Sequence, residues 1–252
     1  MQVFPLSADY CQLQNYIWII QVDGKLICVD PTEAKKVIDL VKKLGKTLDE
    51  IWITHGHYDH IRGIPELLNH FPKVQIKGSP LIPLVTHSFG DGQTFSLAGH
   101  EVEVRKTEGH KKDHMIFLIK SNPYQVFCGD LLFSAGCGRV LDGTMRELFD
   151  SIHRLNQLPE ETLLYPAHEY TRRNLEFARG IEPHNEAIKE TLAQIDTQTI
   201  TLPTTLAHER EVNPFLRIEI PEVKRRVLEL SPSTDSSAFG VFSALRSLRD
   251  RF

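Results

Sequence analysis

The sequence predicts an α/β domain followed by a small helical one. Three observations carry that expectation. Apolar runs of strand length dominate residues 1–130, helical periodicity is inserted between some of them, and beyond His168 the patterning turns to helix and loop. With 252 residues and 41% hydrophobic content, the chain can bury a real core as one large or two modest domains.

In chain order, residues 16–20 and 26–29 are apolar runs split by Asp23-Gly24, a hairpin signal. Pro31 ends the second run, and Thr32 can cap the helix after it. Apolar residues at 34, 37, 38, 40, 41 and 44 recur at helical spacing, and Gly45 closes that helix. Residues 51–53 then form a buried strand, and strand–helix–strand implies a parallel neighbour. A short helix around residues 65–68 ends before Pro72, and residues 74–76 make another strand. Residues 79–92 are rich in Pro, Gly and polar side chains and read as loop. Residues 93–97, 101–107, 115–119 and 125–127 are strands of an antiparallel meander, the last two joined around Asn122-Pro123. Residues 145–158 read as helix, 162–165 as a last strand, and 169–178 and 187–195 as helices. The shift near residue 168 sets the expected domains at 1–168 and 169–252.

Charge and cysteine usage exclude several classes. The 29 basic and 33 acidic residues give −4, so no global basic excess invites nucleic acid or an anionic membrane. No apolar run reaches the roughly 18–20 residues of a membrane span, and the N-terminus lacks a signal-peptide pattern. Cys11, Cys28, Cys128 and Cys137 form no C-x-x-C pair, which points to reduced thiols and a cytoplasmic location. Cys128 and Cys137 read as buried packing residues.

The chemistry concentrates in Thr54-His55-Gly56-His57-Tyr58-Asp59-His60, directly after the strand at 51–53. Three imidazoles and a carboxylate within six residues suit a borderline metal such as zinc, and so much titratable charge is costly to pack without a cation. On an extended backbone His55 and His57 point the same way, and a turn there can aim Asp59 and His60 at a second position. The loop therefore reads as half of a two-metal site. Further candidates lie just beyond other strands: His110 after 101–107, Asp130 after 125–127, and His168 after 162–165. Each has an ordinary alternative, such as Asp130 capping the next segment. Asp30 is a partner for a ligand imidazole or a strand-end turn residue.

The set T-H-x-H-x-D-H, T-x-G-H, G-D-x-L-F with A-G-C-G, and A-H-E-Y-T resembles the metallo-β-lactamase superfamily. Phe127-Cys128-Gly129-Asp130, Ser134-Ala135-Gly136-Cys137-Gly138-Arg139, His168-Glu169-Tyr170-Thr171, Asn213-Pro214-Phe215-Leu216-Arg217 and Leu245-Arg246-Ser247-Leu248-Arg249-Asp250 resemble its glyoxalase II (hydroxyacylglutathione hydrolase) branch. The resemblance implies an αββα sandwich with a small C-terminal helical, glutathione-binding domain. It implies an enzyme with two divalent metals, zinc foremost, with iron or manganese equally served by His and Asp. His55, His57 and His110 would hold one metal, Asp59, His60 and His168 the other, and Asp130 would bridge. The implied activity is hydrolysis of S-D-lactoylglutathione to D-lactate and glutathione, the second step of methylglyoxal detoxification. A metal-bridging hydroxide would be the nucleophile, with Asp59 as acceptor of its proton. Arg139, Tyr170, Arg246 and Arg249 would bind the glutathione part, since an arginine fork suits a carboxylate. The expected partner is a small-molecule thioester, and the expected state a monomer.

The chain departs from the family pattern at Glu108-Gly109-His110-Lys111-Lys112-Asp113-His114, where P-G-H-T-x-G-H is usual, at Arg62-Gly63 in place of Gly-Gly, and at Leu141 in place of an aromatic residue. The competing readings are a persulfide dioxygenase of the same fold, a hydrolase of another thioester or lactone, a two-metal phosphodiesterase, and a metal-binding protein without turnover.

Overall fold

The apolar runs of the first half form two sheets, and the structure, a computed structural model, describes all 252 residues. They fall into two compact units. The first comprises Met1–Lys106, Asp113–Gly129 and Tyr165–Glu169; the second comprises Thr107–Lys112, Asp130–Leu164 and Tyr170–Phe252.

In the first unit, β1 (Gln2–Ala8), β2 (Asn15–Val22) and β3 (Lys25–Val29) lead to α1 (Ala34–Leu44) and β4 (Glu50–Trp52). Then come α2 (Tyr58–Ile61), α3 (Ile64–His70), β5 (Gln75–Gly78) and β6 (His87–Ser88). The sheet order is β1-β2-β3-β4-β5-β6, antiparallel through β3 and parallel from β3 to β6. Asp23 and Gly24 both have positive φ, the turn that matches strand twist and fixes Trp18 opposite Val29. Gly45 ends α1 in the left-handed conformation. Thr32 does not cap α1: Glu33 takes that position, without a side-chain cap bond. β1 and β6 correct the expectation of loop or unassigned chain there. β1 carries Pro5, tolerated because β1 is an edge strand, and β6 has only two residues.

The second sheet of this unit holds β7 (Thr94–Leu97), β8 (His100–Lys106), β9 (Met115–Ile119) and β10 (Gln125–Gly129) as an antiparallel meander. Trp52 of β4 joins the two sheets, stacking on Phe117 at 4.9 Å and meeting Phe95 and Phe127 edge-on. On the other face of the first sheet, Ile17, Ile19, Cys28 and Ile51 pack with Val37, Ile38 and Val41 of α1 and with Ile64 and Leu67 of α3. β2 is thus buried on both faces, which explains why it reads as a continuous apolar run.

The second unit begins with β11 (Leu132–Phe133), β12 (Gly136–Cys137) and α4 (Met145–Leu155), and β13 (Leu163–Pro166) has its first two residues there. Next along the chain are α5 (Thr171–Ile181), α6 (Glu186–Ile195), β14 (Thr204–Thr205), α7 (Leu206–Val212), a 3₁₀ turn at Pro214–Leu216, α8 (Pro221–Leu230) and α9 (Ala238–Arg251). Thr144 and Glu147 form a capping box that starts α4. The expectation of helix and loop alone beyond His168 is corrected at β14. Thr204 and Thr205 pair with Leu164 and Leu163, a bridge too short to leave a periodic signal. No helix is long and apolar enough to cross a membrane.

Candidate metal centre

Parallel β3 and β4 end side by side, which brings Asp30 to the start of the histidine loop. Thr54 donates to Asp30 twice, from its backbone N at 2.8 Å and its hydroxyl at 2.6 Å. His60 Nδ1 lies 2.9 Å from Asp30 Oδ2, so Nδ1 is the protonated nitrogen and Nε2 is the one left to ligate. His55 Nε2 and His57 Nδ1 converge to 2.8 Å, as the alternating spacing requires. His114 stacks on His55 with ring centroids 5.0 Å apart, and Asp113 accepts from the backbone N of Gly56 at 3.2 Å.

One group of ligand atoms lies wholly within this unit. An oxygen of Asp59, a nitrogen of His60 and a nitrogen of His168 all lie within 4.8 Å of one another, on three buried residues. Asp59 Oδ2 is 3.4 Å from His60 Nε2 and 3.5 Å from His168 Nε2. His168 Nδ1 donates to the Leu13 carbonyl at 2.8 Å, which again leaves Nε2 for a metal. Two imidazoles and one carboxylate, each oriented from behind, form a donor set that fits a divalent ion. Asn15 donates to Asp59 Oδ2 at 2.9 Å.

The second unit carries His110 and Asp130, whose Nε2 and Oδ2 lie 3.4 Å apart. His110 Nδ1 donates to the Arg139 carbonyl at 2.8 Å, the same tautomer logic as His60 and His168. Two glycines allow this geometry. Gly109 has φ +126°, and a Cβ there would come within 2.4 Å of the Leu148 backbone in α4. A Cβ on Gly138 would come within 1.9 Å of the Asp130 carbonyl oxygen.

The four residues expected at the substrate differ in setting. Arg139 has a side chain 58% exposed, and its Nε lies 3.3 Å from Asp250. Tyr170 precedes α5 and meets Phe133 edge-on at 5.1 Å. Arg246 and Arg249 share one side of α9, as their spacing implies, but that side is buried rather than solvated. Arg246 donates to the Cys137 carbonyl at 2.7 Å and pairs with Asp250, while Arg249 donates to Asn174 at 3.0 Å. Burial, with Arg246, Arg173 and Arg139 nearby, lowers the Arg249 pKa to about 10. Cys28, Cys128 and Cys137 are buried, and burial raises the Cys137 thiol to about 11, so these are packing residues rather than nucleophiles.

Sequence reasoning passed over Asn15, Asn174 and Glu209. Glu209 is fully buried and accepts from the Ser134 hydroxyl, the Ala135 backbone N, the Thr204 hydroxyl and Asn213. It thereby holds the β11–β12 hairpin, whose Ala135 has φ +55°. A polar Asn beside the apolar run at 16–20 and a Glu amid the helical residues 206–212 were the available signals, and both are too common to single out.

Paired sheets with His and Asp at the strand ends define the metallo-β-lactamase superfamily, whose family model matches residues 12–168. A second model, hydroxyacylglutathione hydrolase C-terminus, matches residues 169–252. A hydroxyacylglutathione hydrolase of Neisseria gonorrhoeae is 44% identical over 253 residues, covering 100% of both chains. The chain belongs to the hydroxyacylglutathione hydrolase family of that superfamily. Among solved structures, the BLEG-1 B3 metallo-β-lactamase superposes with a TM-score of 0.65 at 19% identity, over 85% of this chain and 99% of that one. The protein TTHA1623, solved in a di-iron-bound form, gives 0.63 at 25% identity, over 84% of this chain and 100% of that one.

Proposed function

We propose that this chain hydrolyses S-D-lactoylglutathione, and S-2-hydroxyacylglutathiones as a class, to the 2-hydroxy acid and glutathione. The observation that carries the proposal is the buried group Asp59, His60 and His168, in a member of the hydroxyacylglutathione hydrolase family. In this reading His55, His57 and His110 would hold one divalent ion, Asp59, His60 and His168 would hold a second, and Asp130 would serve both. Zinc is the proposed metal, with iron or manganese accepted by the same donors. When bound, such ions supply an activated water near neutral pH and offset the charge that develops on the thioester oxygen.

The chain's own groups supply the rest. Asp30, the Leu13 carbonyl and the Arg139 carbonyl hold three imidazoles in the tautomer that presents Nε2. Asp59 takes up the proton of the attacking water at its carboxylate. A thiolate leaves readily, so no strong general acid is required. Arg139, Tyr170, Arg246 and Arg249 are the proposed glutathione contacts, on residues 169–252 and the segment after Asp130. No disulfide joins the four cysteines, which accords with a reducing cytoplasm, and a monomer is the proposed state.

Steady-state hydrolysis of S-D-lactoylglutathione, with metal content determined on the same sample, tests the proposal. Turnover with about two ions per chain, lost in Asp130→Ala, is the expected result. No turnover from protein carrying two ions would overturn it.

A further inference from the structure

Residues 9–14, which connect β1 to Asn15 at the start of β2, have an unusual backbone. Cys11, Gln12 and Gln14 all lie in the left-handed region, with φ of +53°, +64° and +51°, and none is glycine. Such backbone persists only where the surroundings over-determine it. At Gln14 and the residues just after it, those surroundings are the histidine-bearing segment 166–169. Tyr16 N donates to the Ala167 carbonyl at 2.7 Å, Glu169 N donates to the Gln14 carbonyl at 3.0 Å, and Asn15 bridges His168 in antiparallel fashion. The Tyr16 hydroxyl donates to Glu169 at 2.8 Å, and Trp18 Nε1 to the Pro166 carbonyl at 2.8 Å.

Two groups at the end of this connection reach past the backbone to proposed metal ligands. The Leu13 carbonyl accepts from His168 Nδ1, and Asn15 Nδ2 donates to Asp59 Oδ2. Asn15 is 2% exposed, and its Oδ1 is buried without a hydrogen-bond partner. An apolar side chain would avoid that unsatisfied acceptor, so the amide is retained at a cost. Its orientation is fixed by chemistry, since a flipped amide would set an acceptor against a carboxylate.

We propose that residues 9–15 are the positioning element for one of the two metal positions, with Asn15 as its positioning residue through Asp59. The loop aims Asp59 and His168 together, so loosening it costs the ion held by Asp59, His60 and His168 and spares the other. This rests on the two-metal reading above. Neither the family motif nor the ligand set specifies such a selective loss.

The test is metal stoichiometry by elemental analysis after dialysis against a zinc buffer, with affinities from competition against a chelating dye. Wild type, Asn15→Ala and Asn15→Leu are compared, the leucine keeping the side-chain volume without the N–H. The unfolding midpoint of each metal-free chain controls for folding. The expected result is two ions in wild type and one in both variants, the second ion bound at least about tenfold more weakly, with metal-free midpoints unchanged. Two ions at wild-type affinity in both variants would overturn the inference while leaving the two-metal reading intact. Equal loss of both ions would assign Asn15 a general structural role and also overturn it. A wild type holding fewer than two ions would overturn both readings.

Discussion

Asp30 shows how much one carboxylate can organise. It accepts the Thr54 backbone and hydroxyl groups, which start the histidine loop, and the Nδ1 of His60, which ends it. Its own φ of +51° suits Asp better than a branched residue. Asp30 is therefore both a turn residue and the partner of His60, a proposed ligand, so the turn role and the partner role are compatible. Asp30→Asn keeps the size and one acceptor but removes the charge that makes His60 a better donor to a metal. Metal affinity should fall about 10–100-fold, read by competition with a chelating dye, while the metal-free chain still folds. An unchanged affinity would reduce Asp30 to a turn residue.

The element that most needs support in the second unit is the β11–β12 hairpin, two residues per strand. It is held by Glu209 of α7 and by Asn174 of α5, which donates to the Ser134 carbonyl at 2.9 Å and accepts from Arg249. Four donors converge on one carboxylate in Glu209, while desolvation still pushes its pKa above the usual value. An acid with a raised folded pKa binds its proton more tightly when folded. Its contribution to stability is thus fully present below the unfolded value of 4.5 and declines as pH rises toward the folded one. Glu209→Gln turns one acceptor into a donor facing donors. It should cost on the order of 3 kcal/mol at neutral pH and remove this component of the pH dependence, measured by urea unfolding across pH 5 to 8. A variant as stable as wild type at every pH would show that the hairpin does not depend on Glu209.

At the scale of the whole molecule, Asp59, His60 and His168 bring a buried carboxylate and two buried imidazoles together, a grouping that is costly to bury without a cation. Loading should therefore stabilise the fold by linkage, about 4 kcal/mol for each site held at a thousand times its dissociation constant. Chelation should lower the thermal midpoint by several degrees, and zinc should restore it. A midpoint indifferent to chelator would mean that the ligand groups hold no ion in solution.

What the sequence by itself determined was periodic or concentrated. The apolar runs, the Asp23-Gly24 turn and the helix closed by Gly45 are local signals, and each is borne out; the density of His and Asp in residues 55–60 is a signal of the same local kind. Tertiary structure decided what depends on partners distant in the chain. Thr32 loses the cap position to Glu33, and β6 and β14 exist only because a neighbouring strand supplies hydrogen bonds to two residues. Arg246 and Arg249 are buried because Cys137 and Asn174, more than seventy residues earlier, accept their N–H groups. Asn15 reaches Asp59 across 44 positions. Periodicity records which face of an element is apolar; it carries no record of which remote polar group satisfies a buried one, and that pairing exists only once the chain has folded.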